Sequence, residues 1–148
     1  MSEPYASDPT RNLEPVHAEE PDVPEGLWTA RLVLFLRVMA GLSMLKGLYH
    51  WGVVCGLAGP ADGFEYQPLP WQTATVFFAV IDLVAAVGLW LAAAWGAVVW
   101  LTAAVSMAAV EVFFPQVYGG RLFVVLIEGV LLFGYLFLAI QSAREHPQ

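Results

Sequence analysis

The longest apolar run in the chain, residues 73–110, carries a single charged residue, Asp82. As one helix this run would be about 57 Å long, whereas the hydrocarbon layer of a bilayer is only about 30 Å thick. The run must therefore turn back on itself. We place the turn between Trp90 and Gly96, because tryptophan is typical of a membrane boundary and glycine weakens a helix.

This turn divides the run into two membrane spans, and a further apolar stretch lies on either side of them. Each stretch is long enough for a transmembrane helix of about 20 residues. The predicted spans cover residues 38–57, 72–91, 96–114 and 121–141, with a helical lead-in before the first. The third span has too few polar residues to present the polar face of a soluble helix. The sequence therefore predicts an all-α fold, an integral membrane four-helix bundle.

The N-terminal segment has a different composition. It carries more than half of the thirteen acidic residues and five of the ten prolines. Such a segment cannot bury enough apolar surface to offset the entropy of ordering. We predict a disordered acidic tail over residues 1–26, a transmembrane domain over residues 27–141 and a polar C-terminal end over residues 142–148. Most of the net charge of −7 lies in the tail, and an acidic chain excludes nucleic acid as a partner.

Aromatic and basic residues mark the expected edges of the bilayer, where tryptophan and arginine are enriched. The predicted interface anchors are Trp28, Arg31, Arg37, Trp71 and Trp95. Most arginines lie near the two ends of the chain, and only Arg121 lies on the other side of the predicted topology. Because Lys and Arg tend to remain inside, this distribution predicts that both termini are cytoplasmic.

Five ionisable residues fall within the predicted spans. Near a helix centre each costs roughly 2.5–3.5 kcal/mol, so together they would cost about 12 kcal/mol or more if unpaired. They are Lys46, His50, Asp82, Glu111 and Glu128. In the predicted topology all five lie in the middle or outer half of the bilayer. We therefore expect them to face inward as one intramembrane polar network.

The simplest pairing within this network puts Lys46 with Asp82 and Glu128, and His50 with Glu111. Lys46 and His50 are four residues apart and share a helix face. With one ammonium and three carboxyl groups, one carboxyl group could be protonated or could share a proton with His50. Two interpretations stay open. The network either locks the helices in register, or forms a proton path or a site for a small polar or quinone-like ligand.

No nucleotide-binding, metalloprotease or serine-nucleophile motif is present in the sequence. The single cysteine, Cys55, excludes a multi-cysteine metal site, so we assign no metal site and no catalytic residue. Gly52 and Gly56 form a GxxxG pattern, which favours close helix packing either within the bundle or in a dimer.

The segments RLVLFLRVMAGLSMLKGLYHW and VIDLVAAVGLWLAAAWGAVVWLTAAVSMAAV resemble the DoxX-like group of small four-helix bacterial membrane proteins. Such proteins show an arginine opening the first helix, a Gly-rich middle with a lysine, and an acidic residue opening a Gly/Leu-rich second helix. The corresponding residues here are Arg31 or Arg37, Gly41, Lys46, Asp82 and Gly88. With its WQTATVFFAVID segment, the chain also resembles, over about residues 28–141, a family of uncharacterised alphaproteobacterial proteins defined only as a domain of unknown function. Both resemblances imply the bacterial inner membrane.

Two function hypotheses follow. The first is a non-catalytic accessory or interaction subunit, held together by the buried charge network and needing no cofactor. Its partners would be the lipid bilayer and other membrane proteins or a second copy of itself. The alternative, implied by the DoxX-like resemblance, is a quinone- or proton-linked membrane redox protein with Lys46, His50 and Asp82 around the quinone. We favour the first hypothesis and so do not expect an enzyme.

Overall fold

A computed structural model describes residues 26–145 of the chain. The long helices are α1 (Leu27–Val54), α2 (Leu69–Trp90), α3 (Ala94–Phe113) and α5 (Leu122–Glu145), and a short helix α4 (Pro115–Tyr118) precedes the last of them. The four long helices are long and apolar enough to cross a membrane, and the described residues contain no strand. The predicted all-α four-helix bundle is confirmed. The predicted disordered tail, apart from Gly26, lies outside the described residues, as do residues 146–148.

The helices differ from the predicted spans mainly toward the two ends of the chain. α1 includes the lead-in expected before residue 38, and it ends at Val54, a little before the predicted end of the span. It ends there because the chain turns at Gly56, whose φ of +72° suits glycine. α5 continues to Glu145, into the segment expected to be the polar C-terminal end. The proposed division of the chain into domains stays a prediction.

Proline lies in the first turn of two helices. Pro70 occupies this position in α2, and Pro115 opens α4. A missing N–H costs no helical hydrogen bond there, and the restricted φ of proline suits the start of a helix. Pro115 follows the end of the third span, as expected. However, residues 115–118 form a helical turn rather than an irregular loop, and this turn positions Tyr118 over the end of the bundle.

The turn between α2 and α3 is very tight and lies where the sequence predicts it. Gly88 and Gly96 face each other across this turn. A Cβ atom added to either glycine would overlap the backbone of the other. The two helices can therefore approach this closely only because both residues lack a side chain.

The long helices form a ring in which α1 contacts α2, α2 contacts α3, α3 contacts α5 and α5 contacts α1. We call the half of the ring nearer residues 27 and 145 the terminal half, and the half containing residues 55–68 and 114–121 the loop half. The apolar core lies in the terminal half. Its buried residues are Leu36, Met39, Ala40, Ala85, Leu89 and Trp100.

α5 packs less deeply than the other helices. None of its described side chains is buried, whereas α2 buries residues along most of its length. Large apolar side chains cover the outward surface of all four long helices. These surfaces contact the lipid bilayer, because water would not tolerate so large an apolar area.

The GxxxG glycines do not lie at a helix contact. A Cβ atom at Gly52 would meet only Ala58 of the following loop, and one at Gly56 would meet nothing within 4 Å. The prediction that this pair mediates close packing within the bundle is therefore wrong. Gly47 does this instead, because a Cβ atom there would lie 2.9 Å from the side chain of Leu83 on α2.

Candidate intramembrane polar site

Lys46 on α1 lies between two carboxylates that belong to two other helices. Its Nζ atom is 3.6 Å from Oδ1 of Asp82 on α2 and 3.6 Å from Oε1 of Glu128 on α5. The Asp82 side chain is only 3% exposed and that of Glu128 16%. The ammonium also lies 5.3 Å from the ring centroid of Phe78, within the range of a cation–π contact. The fold thus brings together the three residues that the sequence paired.

His50 lies one turn after Lys46 on the same face of α1 and is buried. Its Nδ1 atom is 2.9 Å from the backbone oxygen of Lys46 and 4.0 Å from Oδ2 of Asp82. The shorter contact is a hydrogen bond, and the longer one is electrostatic only. A carbonyl oxygen can only accept, so Nδ1 carries the hydrogen. In the neutral ring, Nε2 is therefore an acceptor.

Glu111 does not pair with His50 as expected. Its Oε2 atom accepts a hydrogen bond of 2.6 Å from the backbone N–H of Arg121. The chain reaches this position through Gly119 and Gly120, whose φ values of +90° and +62° are accessible to glycine without strain. The expected pairing fails because helical periodicity specifies a face on one helix, but not the rotation of that helix toward another.

The carboxylates beside Lys46 are incompletely satisfied. Within residues 26–145, Oδ2 of Asp82 and Oε2 of Glu128 are buried without a hydrogen-bond partner. Folded proteins leave few such atoms, because each costs about 1–3 kcal/mol. One ammonium also faces two carboxylates, so the group has an excess of negative charge unless it binds something positive. In an apolar environment this excess favours uptake of a proton or a cation.

Two cavities adjoin this charged group. The first, which we call the Lys46 cavity, has a volume of about 210 Å³ and a mainly apolar lining. It is bordered by Lys46, Asp82 and Glu128 and extends toward Trp100 in the terminal half. The loop-end cleft, of about 560 Å³, is bordered by polar, aromatic and apolar residues, among them Tyr49, His50, Gly59, Pro60, Trp71, Thr75, Glu111, Tyr118 and Arg121. Val124 on α5 borders both spaces. The ionisable residues are thus divided between two neighbouring cavities rather than gathered in a single network.

Aromatic rings form much of the wall of the loop-end cleft. The ring centroid of Tyr118 is 6.5 Å from that of Trp71 and 6.5 Å from that of His50. The Tyr118 hydroxyl is 3.2 Å from Oγ1 of Thr75. Burial raises the pKa of the Tyr118 phenol above its ordinary value of 10.0, so this group remains an uncharged hydroxyl near neutral pH.

Tyr118 and Thr75 are site residues that the sequence analysis missed. A usable signal was present for Tyr118, because a tyrosine next to a Gly-Gly pair at the end of a span is an amphipathic ring at a boundary. Thr75 gave no signal, since a lone threonine in an apolar helix usually bonds to its own backbone.

Four of the five predicted interface anchors lie near helix ends, and Arg37 lies about three turns into α1. Trp28 and Arg31 are at the start of α1, with the guanidinium 4.8 Å from the indole centroid, and Trp95 is exposed at the start of α3. Arg37 lies 6.0 Å from the ring of a tryptophan on α2. Trp71 differs, because it is half-buried and forms part of the cleft wall. The anchoring role itself stays a prediction.

The terminal half ends in a separate polar arrangement. The carboxylate of Glu145, at the end of α5, accepts hydrogen bonds of 3.0–3.1 Å from the backbone N–H groups of Trp28 and Thr29. The Thr29 hydroxyl also lies 2.9 Å from that of Ser142. The first N–H groups of a helix have no partner within the helix, and Gly26 has no side chain to supply one. The last helix therefore caps the first.

Four apolar membrane-spanning helices around a group of buried charges define a small multi-pass membrane protein. The chain belongs to the family described as Family of unknown function (DUF6163), which matches residues 30–146. This agrees with the resemblance to an uncharacterised family. Comparisons with curated proteins and with solved structures found no match. Within residues 26–145, no three His, Cys, Asp or Glu side chains are grouped so that they could hold a metal ion.

Proposed function

We propose that this protein binds a proton within the membrane, at a site formed by Lys46, His50, Asp82 and Glu128. The observation that carries the proposal is the convergence of two carboxylates on one ammonium at 3.6 Å each. A buried and a partly buried negative charge cannot both be balanced by one positive charge in an apolar environment. A proton on one carboxyl group removes the excess charge, and that proton can leave when conditions change.

The unsatisfied oxygen atoms support a binding role over a purely structural one. A polar network that only locks helices in register is most stable when every member has its hydrogen bonds. Here Asp82 and Glu128 each have a buried oxygen without a partner in the described part of the chain. The adjoining Lys46 cavity of about 210 Å³ is large enough for water, which could bond to its three charged side chains. Such an arrangement suits a group that changes its protonation state.

His50 gives the proton a route between water and the site. Its ring borders the loop-end cleft, and its Nδ1 atom lies 4.0 Å from Asp82. An imidazole can accept a proton at one nitrogen and release one from the other. With both termini in the cytoplasm of a bacterial cell, the cleft would open toward the opposite face of the inner membrane. Protons would then enter from that face.

Infrared difference spectroscopy of the protein in lipid tests this function. We expect the C=O stretch of a protonated carboxyl group at neutral pH, shifted by exchange into D₂O. The band should disappear in Asp82→Asn or Glu128→Gln, whichever removes the protonated group. Asp62→Asn changes an exposed loop carboxylate and should retain the band. A wild-type spectrum with no protonated carboxyl band at neutral pH would contradict the proposal.

The shallow packing of α5 supports a second candidate, the non-catalytic accessory or interaction subunit. α5 has no buried side chain among its described residues, and its outward face carries large apolar groups such as Leu126, Val130 and Phe133. A partner membrane protein or a second copy could cover this face in place of lipid. Mild-detergent purification followed by mass spectrometry tests the candidate. A stoichiometric protein partner supports it, and a monodisperse monomer that carries only lipid counts against it.

The same experiment tests the redox version of the proton-binding function. A quinone retained through purification would support the quinone-linked function implied by the DoxX-like resemblance. Quinone-free protein that keeps the infrared band would bind its proton without redox chemistry.

A further inference from the structure

The loop-end cleft contains Glu111 and aromatic rings that the proton site does not use. We propose that this cleft binds a protonated amine, held by Glu111, by Nε2 of His50 and by the faces of Trp71 and Tyr118. The inference shares His50 with the proton-binding proposal but not the two carboxylates, because neither Asp82 nor Glu128 borders this cleft.

His50 in the wall of the cleft has a ring nitrogen, Nε2, without a hydrogen-bond partner in the described residues. The side chain is about nine-tenths buried, with 9% exposure, and it borders the cleft. Its other nitrogen is committed to the backbone oxygen of Lys46, which leaves Nε2 as the acceptor of the neutral ring. No residue within 26–145 hydrogen-bonds to Nε2. A ligand that displaces water from the cleft must supply an N–H or O–H donor to replace the bond that water makes to this atom.

Glu111 supplies a negative charge in the same space. It is only 4% exposed, and the N–H of Arg121 holds its Oε2 atom in place. The side chain of Arg121 is exposed, so water and salt screen its charge. The charge of Glu111 acts in an apolar environment, where it is screened far less. The buried carboxylate therefore determines the sign of the preferred ligand, which is positive.

The aromatic rings favour a cation as well. The rings of Trp71 and Tyr118 lie 6.5 Å apart in the cleft wall, with Tyr49 nearby. The faces of aromatic rings attract ammonium groups, and tryptophan does so most strongly. Three features of the cleft therefore suit a protonated amine. The carboxylate has the opposite charge, the ring nitrogen accepts a hydrogen bond from an N–H, and the aromatic faces attract the cation in place of water.

The size of the cleft indicates that the amine is part of a larger molecule. Its volume of about 560 Å³ lies within the range of about 300–1,000 Å³ that is typical of small-molecule sites. The rest of the ligand would extend past Gly59, Pro60 and Arg121, at the mouth of the cleft. A free amine from water or the headgroup of an aminophospholipid would present the same ammonium group.

Isothermal titration calorimetry with ethanolamine at neutral pH, on the full chain in detergent micelles, tests the inference. We expect saturable binding to the wild type. Glu111→Gln should weaken it by about tenfold or more, because a charge-assisted hydrogen bond is replaced by a neutral one. Glu65→Gln removes an exposed carboxylate from the same end of the bundle and should leave the affinity within about twofold.

A second variant tests the inference in case Glu111→Gln fails to fold. Trp71→Leu removes one aromatic face near the start of α2 and should weaken ethanolamine binding several-fold while helix content by circular dichroism is kept. Tetramethylammonium has the charge but no N–H donor, so it should bind more weakly than ethanolamine. Sodium acetate should not bind. Absence of saturable binding to wild type, equal binding to Glu111→Gln, or preference for acetate would each overturn the inference.

Two lipid environments distinguish the source of the amine. In nanodiscs of phosphatidylethanolamine, a lipid-headgroup site would already be occupied, and added ethanolamine would produce no heat. In nanodiscs of phosphatidylcholine the same titration should show binding. Binding of equal strength in both lipids would assign the cleft to a water-soluble amine. The infrared band of the proton site should persist in Glu111→Gln, which keeps the two proposals separable.

Discussion

The two halves of the bundle differ in how tightly they pack and in how fully their polar groups are hydrogen-bonded. The terminal half contains the apolar core, the close Gly88–Gly96 contact and a carboxylate that satisfies helix-end N–H groups. The loop half contains the loop-end cleft, ionisable groups and carboxylate oxygen atoms that lack a hydrogen-bond partner within residues 26–145. The comparison shows that tight packing in one half can compensate for missing hydrogen bonds of buried oxygen atoms in the other. Stability and function are therefore expected to respond to different substitutions.

The largest effect is expected in the terminal half, from Gly96→Ala. The new Cβ atom would overlap the backbone around Gly88, so the helices must separate, and we expect a loss of about 3 kcal/mol in the free energy of unfolding. Thermal unfolding in detergent, followed by circular dichroism, measures it. Gly41→Ala is the matched control, because its Cβ atom meets nothing within 4 Å. Equal stability of the two variants would contradict the tight contact.

In the loop half, Lys46→Met is expected to cost about 2 kcal/mol of unfolding free energy, because the buried Asp82 and the partly buried Glu128 lose their cation. Uptake of protons by the carboxyl groups limits the loss. Adding Asp82→Asn and Glu128→Gln should restore most of the stability, since no unpaired charge remains. The three proteins are compared by unfolding in a denaturing detergent. A triple variant less stable than Lys46→Met would show that the carboxylates stabilise the bundle in another way.

A smaller effect is expected at the far end of the terminal half. Glu145→Gln replaces the charged cap of α1 with a neutral one and should cost about 1 kcal/mol. Hydrogen exchange should accelerate at the amides of Trp28 and Thr29 more than at the other amides of α1. Arg144→Gln changes the neighbouring charge and should leave those two exchange rates nearly unchanged. Unaltered exchange in Glu145→Gln would mean that the cap does not protect α1.

The smallest effect is expected from Tyr118→Phe in the loop half. It removes a hydroxyl that is 3.2 Å from Thr75, whose own hydroxyl can then bond to the backbone of α2. We expect a loss of about 0.5 kcal/mol in unfolding free energy. Tyr66→Phe, at an exposed position, provides the reference and should cost nothing measurable. A loss as large as that of Lys46→Met would place Tyr118 among the main supports of the loop half.

The helices were predictable from sequence because the bilayer requires them. A run of 38 residues with a single charge must form two spans, and residues 91–93 turn where tryptophan and glycine indicated. The helical turn at Pro115 was less predictable, because proline can end one helix or open the next. The contact of Gly88 with Gly96 was also missed. Glycine spacing along one helix, as in the GxxxG pair, does not show which glycines meet across two helices.

The candidate site was predictable in part. The cost of burying charge predicted that the ionisable residues face inward, and the four-residue spacing of Lys46 and His50 placed both on one helix face. The partner of Glu111 was not predictable, because it is a backbone N–H positioned by two glycines with positive φ. The division of the charges between two cavities depends on side-chain packing of α5, which the apolar pattern of that helix leaves unspecified.

The cap that Glu145 places on α1 also sets an order of events during synthesis. The two partners are 117 residues apart in sequence. At translation rates of 5–20 residues per second, α1 would wait about ten seconds in the membrane before its cap is made. Until then, its first N–H groups depend on water or lipid headgroups, and the ring of helices stays open between α1 and α3. The assembly of this protein is therefore expected to be late and concerted, completed when the last helix closes against the first.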